Sequence, residues 1–468
     1  MSFVFAAVLV HLLGFGQGQL AGTNTAENPP ALSFQTCTKG GGCQKTASKV
    51  TLDANWRWLH AANTSSNCYT GQTWDKTLCS DPTKCATSCA LDGADYPGTY
   101  GITSTGDALK MKFVTHGPYS TNIGSRVYMM AGDDKYKMFK LKNQEFTFDV
   151  DVSNLPCGIN GALYFAEMSE DGGLKEFPTN KAGAKYGTGY CDAQCPHDVK
   201  FIDGKANVEN WKPSATDMNS GTGSVGSCCY EMDIWEANSA SQAFTAHTCK
   251  GLTGPKSCTG ALCGDSPANR YGGLCDKDGC DYASYRLGNH GFYGPGKRID
   301  TTKKFTVVTQ FITKDHTATG ELVEIRRLYV QNGKVIGNSR SRGPELKKFD
   351  SITDAYCEAE KKLFDDKNDF TAKGGLKAMG AAMQRGMVLV MSLWDDHDAN
   401  LLWLQSNYPL NKGNKPGVSR GNCDPASGVP KTVEGAHPDA SVEYSNIRFG
   451  DIGSTYTAAS TTASSSHE

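Results

Sequence analysis

Three acids stand close together in the segment 231–236, whose sequence is EMDIWE. On an α-helix, Glu231 and Glu236 would point about 140° apart, given 3.6 residues per turn, and could not converge. On a regular strand, Glu231 and Asp233 share one face while Glu236 points to the other. One extra residue, a β-bulge, returns Glu236 to the face of the other two acids. We therefore predict a bulged strand that presents all three carboxyl groups on one face.

Glycosidases use two convergent carboxyl groups that are in different protonation states. An ionised carboxylate attacks the anomeric carbon or activates water, and a protonated one releases the leaving oxygen. Retaining enzymes hold the two groups about 5–5.5 Å apart and inverting enzymes about 6.5–9.5 Å apart, and the sequence spacing does not choose between them. A third acid such as Asp233 can keep the two pKa values apart. The competing interpretation is a solvated acidic strand edge without chemistry.

The elements that must position these acids are predicted to be strands. Short β-rich runs recur, and several alternate apolar and polar residues, as a sheet with one buried face requires. A hairpin is predicted over residues 328–336, because Asn332-Gly333 suits a type I′ turn. The best helical patterns cover residues 352–364 and 375–385. The clearest predicted strands are residues 146–152, 162–165, 305–312, 387–391 and 442–449.

Eighteen cysteines among 468 residues are too many for an ordinary cytosolic enzyme. They indicate disulfides formed in an oxidising compartment, although cysteine ligands for a metal are a competing account. An apolar run over residues 3–13 predicts a signal peptide, residues 1–18, despite the missing basic region at its start. No later segment is apolar enough to span a membrane. With the glycosylation sequon at Asn63, these features predict a secreted, extracellular protein.

The remaining composition argues against several kinds of partner. Basic and acidic residues nearly balance, at 47 and 49, and basic runs are short, so no nucleic-acid or membrane partner is expected. Residues 276–279 resemble a fragment of a calcium loop but lack its other ligands, so we expect no metal and no cofactor. Residues 19–453 are predicted to form one catalytic domain, without a carbohydrate-binding module. The Ser/Thr-rich residues 454–468 are predicted to be a disordered tail.

A series of longer motifs runs in order along the chain, at residues 53–58, 161–165, 185–192, 231–238, 285–288, 292–296, 386–396 and 445–450. Through these motifs, residues 32–453 closely resemble the family-7 glycoside hydrolases, the cellobiohydrolase and endoglucanase cellulases. The resemblance implies an all-β fold, a concanavalin-like jelly-roll sandwich of two curved antiparallel sheets. It also implies that long loops roof a substrate tunnel on the concave face.

The resemblance assigns a role to each acid. It implies that Glu231 is the nucleophile of a retaining reaction and that Glu236 is the general acid and then the general base. Asp233 is expected to hydrogen-bond Glu231, and His247 to assist near the acid/base. It also implies nine disulfides: Cys37–Cys43, Cys68–Cys89, Cys79–Cys85, Cys157–Cys423, Cys191–Cys229, Cys195–Cys228, Cys249–Cys275, Cys258–Cys263 and Cys280–Cys357.

Four tryptophans match the sugar platforms of the family: Trp56 and Trp58, predicted on a strand near the entrance, and Trp394 and Trp403 near the scission point. Indole rings suit this task because glucan chains present flat apolar faces, with hydroxyls at their edges for polar groups. The polar residues expected before the cleavage site are Arg126, Asn160, Tyr164, Tyr190, Asp192, Gln194 and Lys200. Those expected on the product side are Arg270, Asp278, Arg286 and Arg420.

The expected partners are cellulose and cello-oligosaccharides, bound by a monomer. Long loops at residues 207–227 and 258–280 favour a tunnel and a processive cellobiohydrolase that acts from chain ends. The stretch 263–269 looks slightly shorter than in fungal relatives. An endo-acting glucanase of the same family is therefore the alternative. A carbohydrate-binding lectin with inactive acids is the alternative from another class, and the intact acidic set argues against it.

Overall fold

The computed structural model describes residues 19–457, and strands dominate this part of the chain. The predicted signal peptide, residues 1–18, and the tail from residue 458 onward lie outside the described residues. Among the described residues, no helix is long and apolar enough to cross a membrane.

One large sheet contains the strand Glu231–Ala237, which we call the acidic strand. All ladders of this sheet are antiparallel. The short strand Met138–Phe139 pairs at one side with Met387–Trp394. In spatial order, the other strands are Cys280–Tyr282, Gln242–His247, Glu231–Ala237, Asn160–Ala166, Met387–Trp394, Ser125–Met129 and Val50–Leu52.

A second large sheet faces the first. Its ladders are antiparallel except where Phe34–Thr38 runs parallel to Ser441–Asp451. Two short strands, Ile102–Ser104 and Ala108–Lys112, extend it beside Ser441–Asp451. In spatial order, the others are Gly42–Thr46, Phe34–Thr38, Ser441–Asp451, Gln144–Asp151, Phe305–Thr313, Leu322–Gln331 and Lys334–Gly337.

Aromatic side chains fill the space between the two sheets. The rings of Phe146 and Phe165, one from each sheet, have centroids 5.0 Å apart, and those of Phe148 and Trp235 lie 6.2 Å apart. All four side chains are fully buried. Edge-to-face pairs of this kind add to the hydrophobic gain of burial. The predicted all-β sandwich is therefore confirmed.

Smaller elements connect and cover the sheets. The described helices are Pro82–Ser88, Asp354–Phe364, Asp369–Ala372, Gly375–Arg385, Leu402–Gln405 and Pro430–Ala436. Short 3-10 turns are Ala54–Trp56, Ala184–Tyr186, Gly260–Cys263, Leu410–Lys412 and Pro425–Gly428. The minor strands are Leu20–Ala21, Leu59–Ala61, Tyr69–Thr70, Thr73–Trp74, Cys89–Leu91, Val114–His116, Thr121–Ile123, Phe201–Ile202, Lys205–Ala206, Lys212–Pro213, Gly221–Thr222, Val225–Cys228, Lys256–Thr259, Tyr293–Gly294 and Ile299–Asp300.

The five clearest predicted strands, the two helices and the hairpin all occur. Asn332 and Gly333 have φ values of 53° and 73°, as a type I′ turn requires. The strand predicted around Trp56 is wrong, because Trp56 ends the 3-10 turn Ala54–Trp56. The side chain of Asp53 accepts a hydrogen bond from the backbone N–H of Asn55 and caps this turn, an effect that periodicity does not reveal.

The nine disulfides implied by the resemblance are all present, and no cysteine in the described part is free. Cys191–Cys229 and Cys195–Cys228 attach residues 191–195 to the chain immediately before the acidic strand. The described chain continues past residue 453, the predicted end of the domain. Thr455 is buried, and its N–H and hydroxyl both donate to Glu145, so the first tail residues belong to the domain.

Candidate active site

The predicted bulge lies between Asp233 and Glu236. Asp233 pairs with Thr245 and Glu236 with Ala243, so three steps along the acidic strand match two on its neighbour. The ladder with Asn160–Ala166 shifts at the same place. The extra residue restores Glu236 to the face of the other acids, as the sequence predicted.

The core side of the bulge explains why it is stable. Ile234 and Trp235 follow one another directly, yet both side chains are fully buried between the sheets. A regular strand would send one of them to the opposite face. Their joint burial therefore fixes the bulge and leaves Asp233 and Glu236 on the same side.

Glu231 is buried at the start of the acidic strand. One carboxylate oxygen, Oε2, accepts a hydrogen bond of 3.0 Å from the backbone N–H of Ala193. Ala193 lies between two disulfide-bonded cysteines, so this donor is held in place. Burial, with the charges of Asp233 and Asp192, raises the pKa of Glu231 well above its usual value, and the hydrogen bond partly opposes that rise.

Glu236 lies at the other end of the bulge. Its Oε1 accepts a hydrogen bond of 3.1 Å from Asn160 Nδ2, while Asn160 Oδ1 accepts the backbone N–H of Ala237. Burial and the charge of Asp233 raise the pKa of Glu236, whereas His247 and Asn160 lower it. A buried carboxyl group with a raised pKa suits a proton donor.

His247 contacts the middle acid. Its Nε2 lies 3.2 Å from Asp233 Oδ2, and its Nδ1 lies 2.8 Å from the carbonyl oxygen of Asp276. Both neighbours accept, so both ring nitrogens donate in the charged imidazolium. Burial alone would lower the pKa of His247, but its contacts with Asp233 and Asp276 together raise the pKa to about 9. The charge of His247 also acts on the acid/base Glu236, and its direct partner is Asp233.

The expected platforms Trp394 and Trp403 form one stacked pair, with ring centroids 6.3 Å apart and planes inclined by 25°. Trp403 Nε1 donates to Asp396 Oδ2 at 2.9 Å, which fixes that ring. Both indoles are half-buried, in contrast to Trp74 and Trp235, which are buried in the core. Half-buried stacked rings present an apolar face from which a sugar ring can displace water.

Trp56 and Trp58 are half-buried as well. Trp56 Nε1 donates to the carbonyl oxygen of Ile123 at 3.3 Å, and Trp58 Nε1 donates to Asn67 Oδ1 at 2.7 Å. Each indole is thus anchored by its one polar atom and keeps part of its ring exposed.

Four residues expected before the cleavage site meet in one polar cluster. The Arg126 guanidinium lies 3.3 Å from the centroid of the Tyr190 ring. Tyr190 donates to Asp192 at 2.6 Å and shares a hydrogen bond of 2.8 Å with Tyr164. Asp53, which sequence analysis did not single out, accepts from Arg126 Nε at 2.9 Å. The sequence indicated a role for Asp53 only through its position as the first residue of the motif 53–58.

Gln194 and Lys200 lie on loops around this cluster. Gln194 Nε2 donates to the carbonyl oxygen of Lys277 at 3.0 Å, and Lys277 Nζ donates back to that of Gln194. Lys200 Nζ donates to the carbonyl oxygen of Asn55 at 2.7 Å. Burial lowers the pKa of Lys200 to about 8.

Comparison with known proteins agrees with this geometry. The sequence model of Glycosyl hydrolase family 7 matches residues 21–456. The chain belongs to this family. Among solved structures, a GH7 family cellobiohydrolase from Daphnia pulex is 55% identical, with a TM-score of 0.92 over 94% of this chain and 100% of that one.

Two other relatives differ in activity. A cellobiohydrolase from Melanocarpus albomyces, solved with cellotetraose, is 48% identical, with a TM-score of 0.87 over 94% of this chain and 100% of that one. The Humicola insolens endocellulase EGI is 36% identical, with a TM-score of 0.78 over 93% of this chain and 100% of that one. This member of family 7 is therefore more similar to these two cellobiohydrolases than to this endocellulase.

On the expected product side, Arg270 and Asp278 contact each other, with Arg270 Nε donating to Asp278 Oδ1 at 2.8 Å. Arg420 is half-buried, and burial and the charge of Arg286 lower its pKa to about 10. Arg270 and Asp278 are brought together by this contact, whereas Arg420 Nη1 lies 3.5 Å from the carbonyl oxygen of Trp403.

Arg286, the fourth residue expected on the product side, is held by acidic residues. Its side chain is 3% exposed and forms ion pairs with Asp281, Glu360 and Asp366. Its remaining nitrogen, Nε, donates to the carbonyl oxygen of Gly417 at 3.0 Å. These contacts hold Arg286 against the surrounding loops and leave one N–H of Nη2 unused, so its contact with the product stays a prediction. Sequence analysis missed its acidic partners, which are distant in the chain.

The loop 207–227, which we call the roof segment, contacts two other loops. Gln72 Nε2 donates to the carbonyl oxygens of Ser214 and Asp217 at 2.6 and 2.7 Å. On the other side, His397 Nδ1 lies 3.0 Å from the carbonyl oxygen of Thr216. The roof segment is thereby joined to the loop that follows Trp394.

Proposed function

We propose that the chain is a retaining cellulase that hydrolyses β-1,4-glucosidic bonds and releases mainly cellobiose, processively, from chain ends. The observation that carries this proposal is the bulged strand that holds Glu231, Asp233 and Glu236 on one face. The stacked pair Trp394 and Trp403 supports a sugar substrate. The greater similarity to two cellobiohydrolases than to the endocellulase supports attack at chain ends.

In the first step, the ionised Glu231 attacks the anomeric carbon while protonated Glu236 gives its proton to the glycosidic oxygen. The bond to the leaving sugar breaks, and a covalent glycosyl-enzyme forms through Glu231. Burial raises the pKa of both acids, and the Ala193 N–H favours the ionised form at Glu231, the one of the two that must attack. The burial of Glu236 favours its protonated form, which the leaving group needs.

In the second step, Glu236 acts as a base. Its carboxylate takes a proton from a water molecule, the water oxygen attacks the anomeric carbon, and Glu231 leaves as a carboxylate. Two displacements at the same carbon retain its configuration. Asp233 contributes negative charge beside both acids, and its pairing with His247 balances that charge.

The substrate path is proposed to follow the half-buried tryptophans from Trp56 and Trp58 to Trp394 and Trp403. Asn160 and the cluster around Arg126 supply polar groups before the cleavage site, and Arg270, Asp278 and Arg420 supply them on the product side. Contacts between the roof segment and its neighbouring loops support a covered path, which favours successive cuts along one chain.

We also infer that the protein is secreted and acts as a monomer on cellulose and cello-oligosaccharides. The nine disulfides support an oxidising extracellular environment. The Melanocarpus relative was solved with cellotetraose, which supports cello-oligosaccharides as ligands here.

The product released from crystalline cellulose tests this function. We expect cellobiose to dominate the soluble products from the first minutes onward, and Glu231→Gln to lower the rate by at least about 1,000-fold. A broad spread of oligomers, with a rapid fall in the viscosity of soluble substituted cellulose, would identify an endoglucanase instead. Full hydrolysis by the Glu231→Gln variant would overturn the catalytic assignment.

A further inference from the structure

A second cluster of chemically competent side chains lies outside the acidic strand. Asp395 and His397 follow the strand Met387–Trp394, and Glu434 lies on the helix Pro430–Ala436. His397 Nε2 is 3.8 Å from Asp395 Oδ2 and 3.8 Å from Glu434 Oε1. One donor atom from each of the three residues lies within 4.8 Å of the other two.

Asp395 is the buried member of this cluster. Its side chain is only 5% exposed. Within residues 19–457, no hydrogen-bond donor reaches its Oδ2, which is itself enclosed. Among the described residues, the ion-pair partner of this oxygen is His397 Nε2 at 3.8 Å, beyond hydrogen-bond range, so a positively charged ligand would offset its desolvation cost.

The orientation of His397 is set by the roof segment. Its Nδ1 lies 3.0 Å from the carbonyl oxygen of Thr216, and a carbonyl only accepts, so Nδ1 carries the hydrogen. Nε2 faces Asp395 and Glu434, and through its lone pair the neutral form of the ring is able to bind a metal ion there. Three potential metal-ligating atoms thus face one another. Histidines that bind metals commonly donate their other N–H to a backbone carbonyl in this way.

We propose that Asp395, His397 and Glu434 bind a divalent transition-metal ion, with zinc as the best probe. Zinc takes imidazole nitrogen and carboxylate oxygen at about 2.0–2.2 Å in tetrahedral sites. Tetrahedral ligands at that range are roughly 3.4 Å apart, so a small inward shift from the observed 3.8 Å completes the site. Calcium and magnesium fit less well, because they require six or more oxygen ligands.

The bound ion would connect three parts of the molecule. It would fasten the loop after Trp394 to the helix Pro430–Ala436, and through His397 and Thr216 it would hold the roof segment. The proposed site would therefore stabilise the roof segment over the substrate path. It is distinct from the acids that perform the chemistry.

Zinc titration of the chelator-stripped full-length enzyme tests the site. We expect one zinc ion per chain by calorimetry, with affinity reduced at least about 10-fold to 100-fold in His397→Ala. Saturating zinc should raise the melting temperature of the unmodified enzyme but not that of His397→Ala. His290→Ala, which removes an exposed histidine stacked on Tyr285, is the matched control and should retain the affinity.

The position of the ion must also be determined, because Glu231, Asp233 and His247 form another compact donor set. Crystals soaked in zinc should show anomalous density between Asp395, His397 and Glu434. Density only at the catalytic acids or at isolated surface histidines, an adventitious ion only, would overturn the proposal. Unchanged zinc affinity in His397→Ala would overturn it as well. Glu434→Gln serves as the second ligand variant if His397→Ala does not fold.

Discussion

At the scale of single residues, the most consequential contact is the ion pair between His247 and Asp233. The folded-state pKa of His247, about 9, lies above its ordinary value of 6.5. Because folding raises this pKa, protonated His247 contributes its full stabilisation below pH 6.5. The contribution is lost as the pH rises toward 9. The shift corresponds to a contribution on the order of 3 kcal/mol at low pH.

We therefore expect His247→Gln to lower the free energy of unfolding by roughly that amount at pH 5 and by little above pH 9. Urea denaturation of both proteins across this pH range, with disulfides intact, measures the difference. His437→Gln changes an exposed histidine and should give a small difference at every pH. A pH-independent loss for His247→Gln would mean that packing, rather than charge, stabilises the native contact.

At the scale of elements, a residue of the opposite sheet contacts the bulge in the acidic strand. Ile234 has no ladder partner on either side. Its carbonyl oxygen instead accepts from Arg327, a fully buried arginine whose guanidinium lies 4.3 Å from the centroid of the Phe244 ring. Among the described residues, Arg327 forms no ion pair with a carboxylate. We therefore infer that the Arg327 side chain stabilises the bulge.

We expect Arg327→Met to lower kcat at least about 10-fold while KM for a short cello-oligosaccharide changes little, since the acids lose alignment but the platforms remain. Stability should change by less than about 2 kcal/mol, because the loss of a buried cation offsets the unpaired carbonyl. The neighbouring Arg326→Met, whose native partner is Glu324 on the surface, is the control and should preserve kcat. An unaltered kcat in Arg327→Met would show that the bulge does not depend on this donor.

At the scale of the whole molecule, we expect the roof segment to determine whether the enzyme makes successive cuts from a chain end or cuts within the chain. Replacing its hairpin, residues 212–222, with a short glycine-containing turn removes the contacts to Gln72 and His397. We expect fewer successive cuts per binding event and at least a several-fold higher activity on soluble substituted cellulose, because an open cleft admits internal chain segments. The ratio of soluble to insoluble reducing ends measures the change. As a control, shortening residues 314–321 should leave that ratio unaltered. These residues connect the strands Phe305–Thr313 and Leu322–Gln331 of the second large sheet.

The sequence by itself determined much of this molecule. The alternation of apolar residues predicted the main strands, Asn332-Gly333 predicted the hairpin, and the helical patterns at 352–364 and 375–385 were correct, because each depends on neighbouring residues. The spacing of Glu231, Asp233 and Glu236 also required a bulge, since no regular strand places all three on one face. The nine disulfide pairs came from the family resemblance rather than from the spacing of the cysteines.

The tertiary structure decided the features that depend on contacts between distant segments. Asp53 caps a 3-10 turn and pairs with Arg126, Arg286 is enclosed by three carboxylates, and His247 contacts Asp233 directly. Arg327 reaches the bulge from the other sheet, and Asp395 and His397 meet Glu434 from a helix farther along the chain. In each case, burial and the charge of a partner fix the role of the residue, and neither is visible in a local sequence pattern.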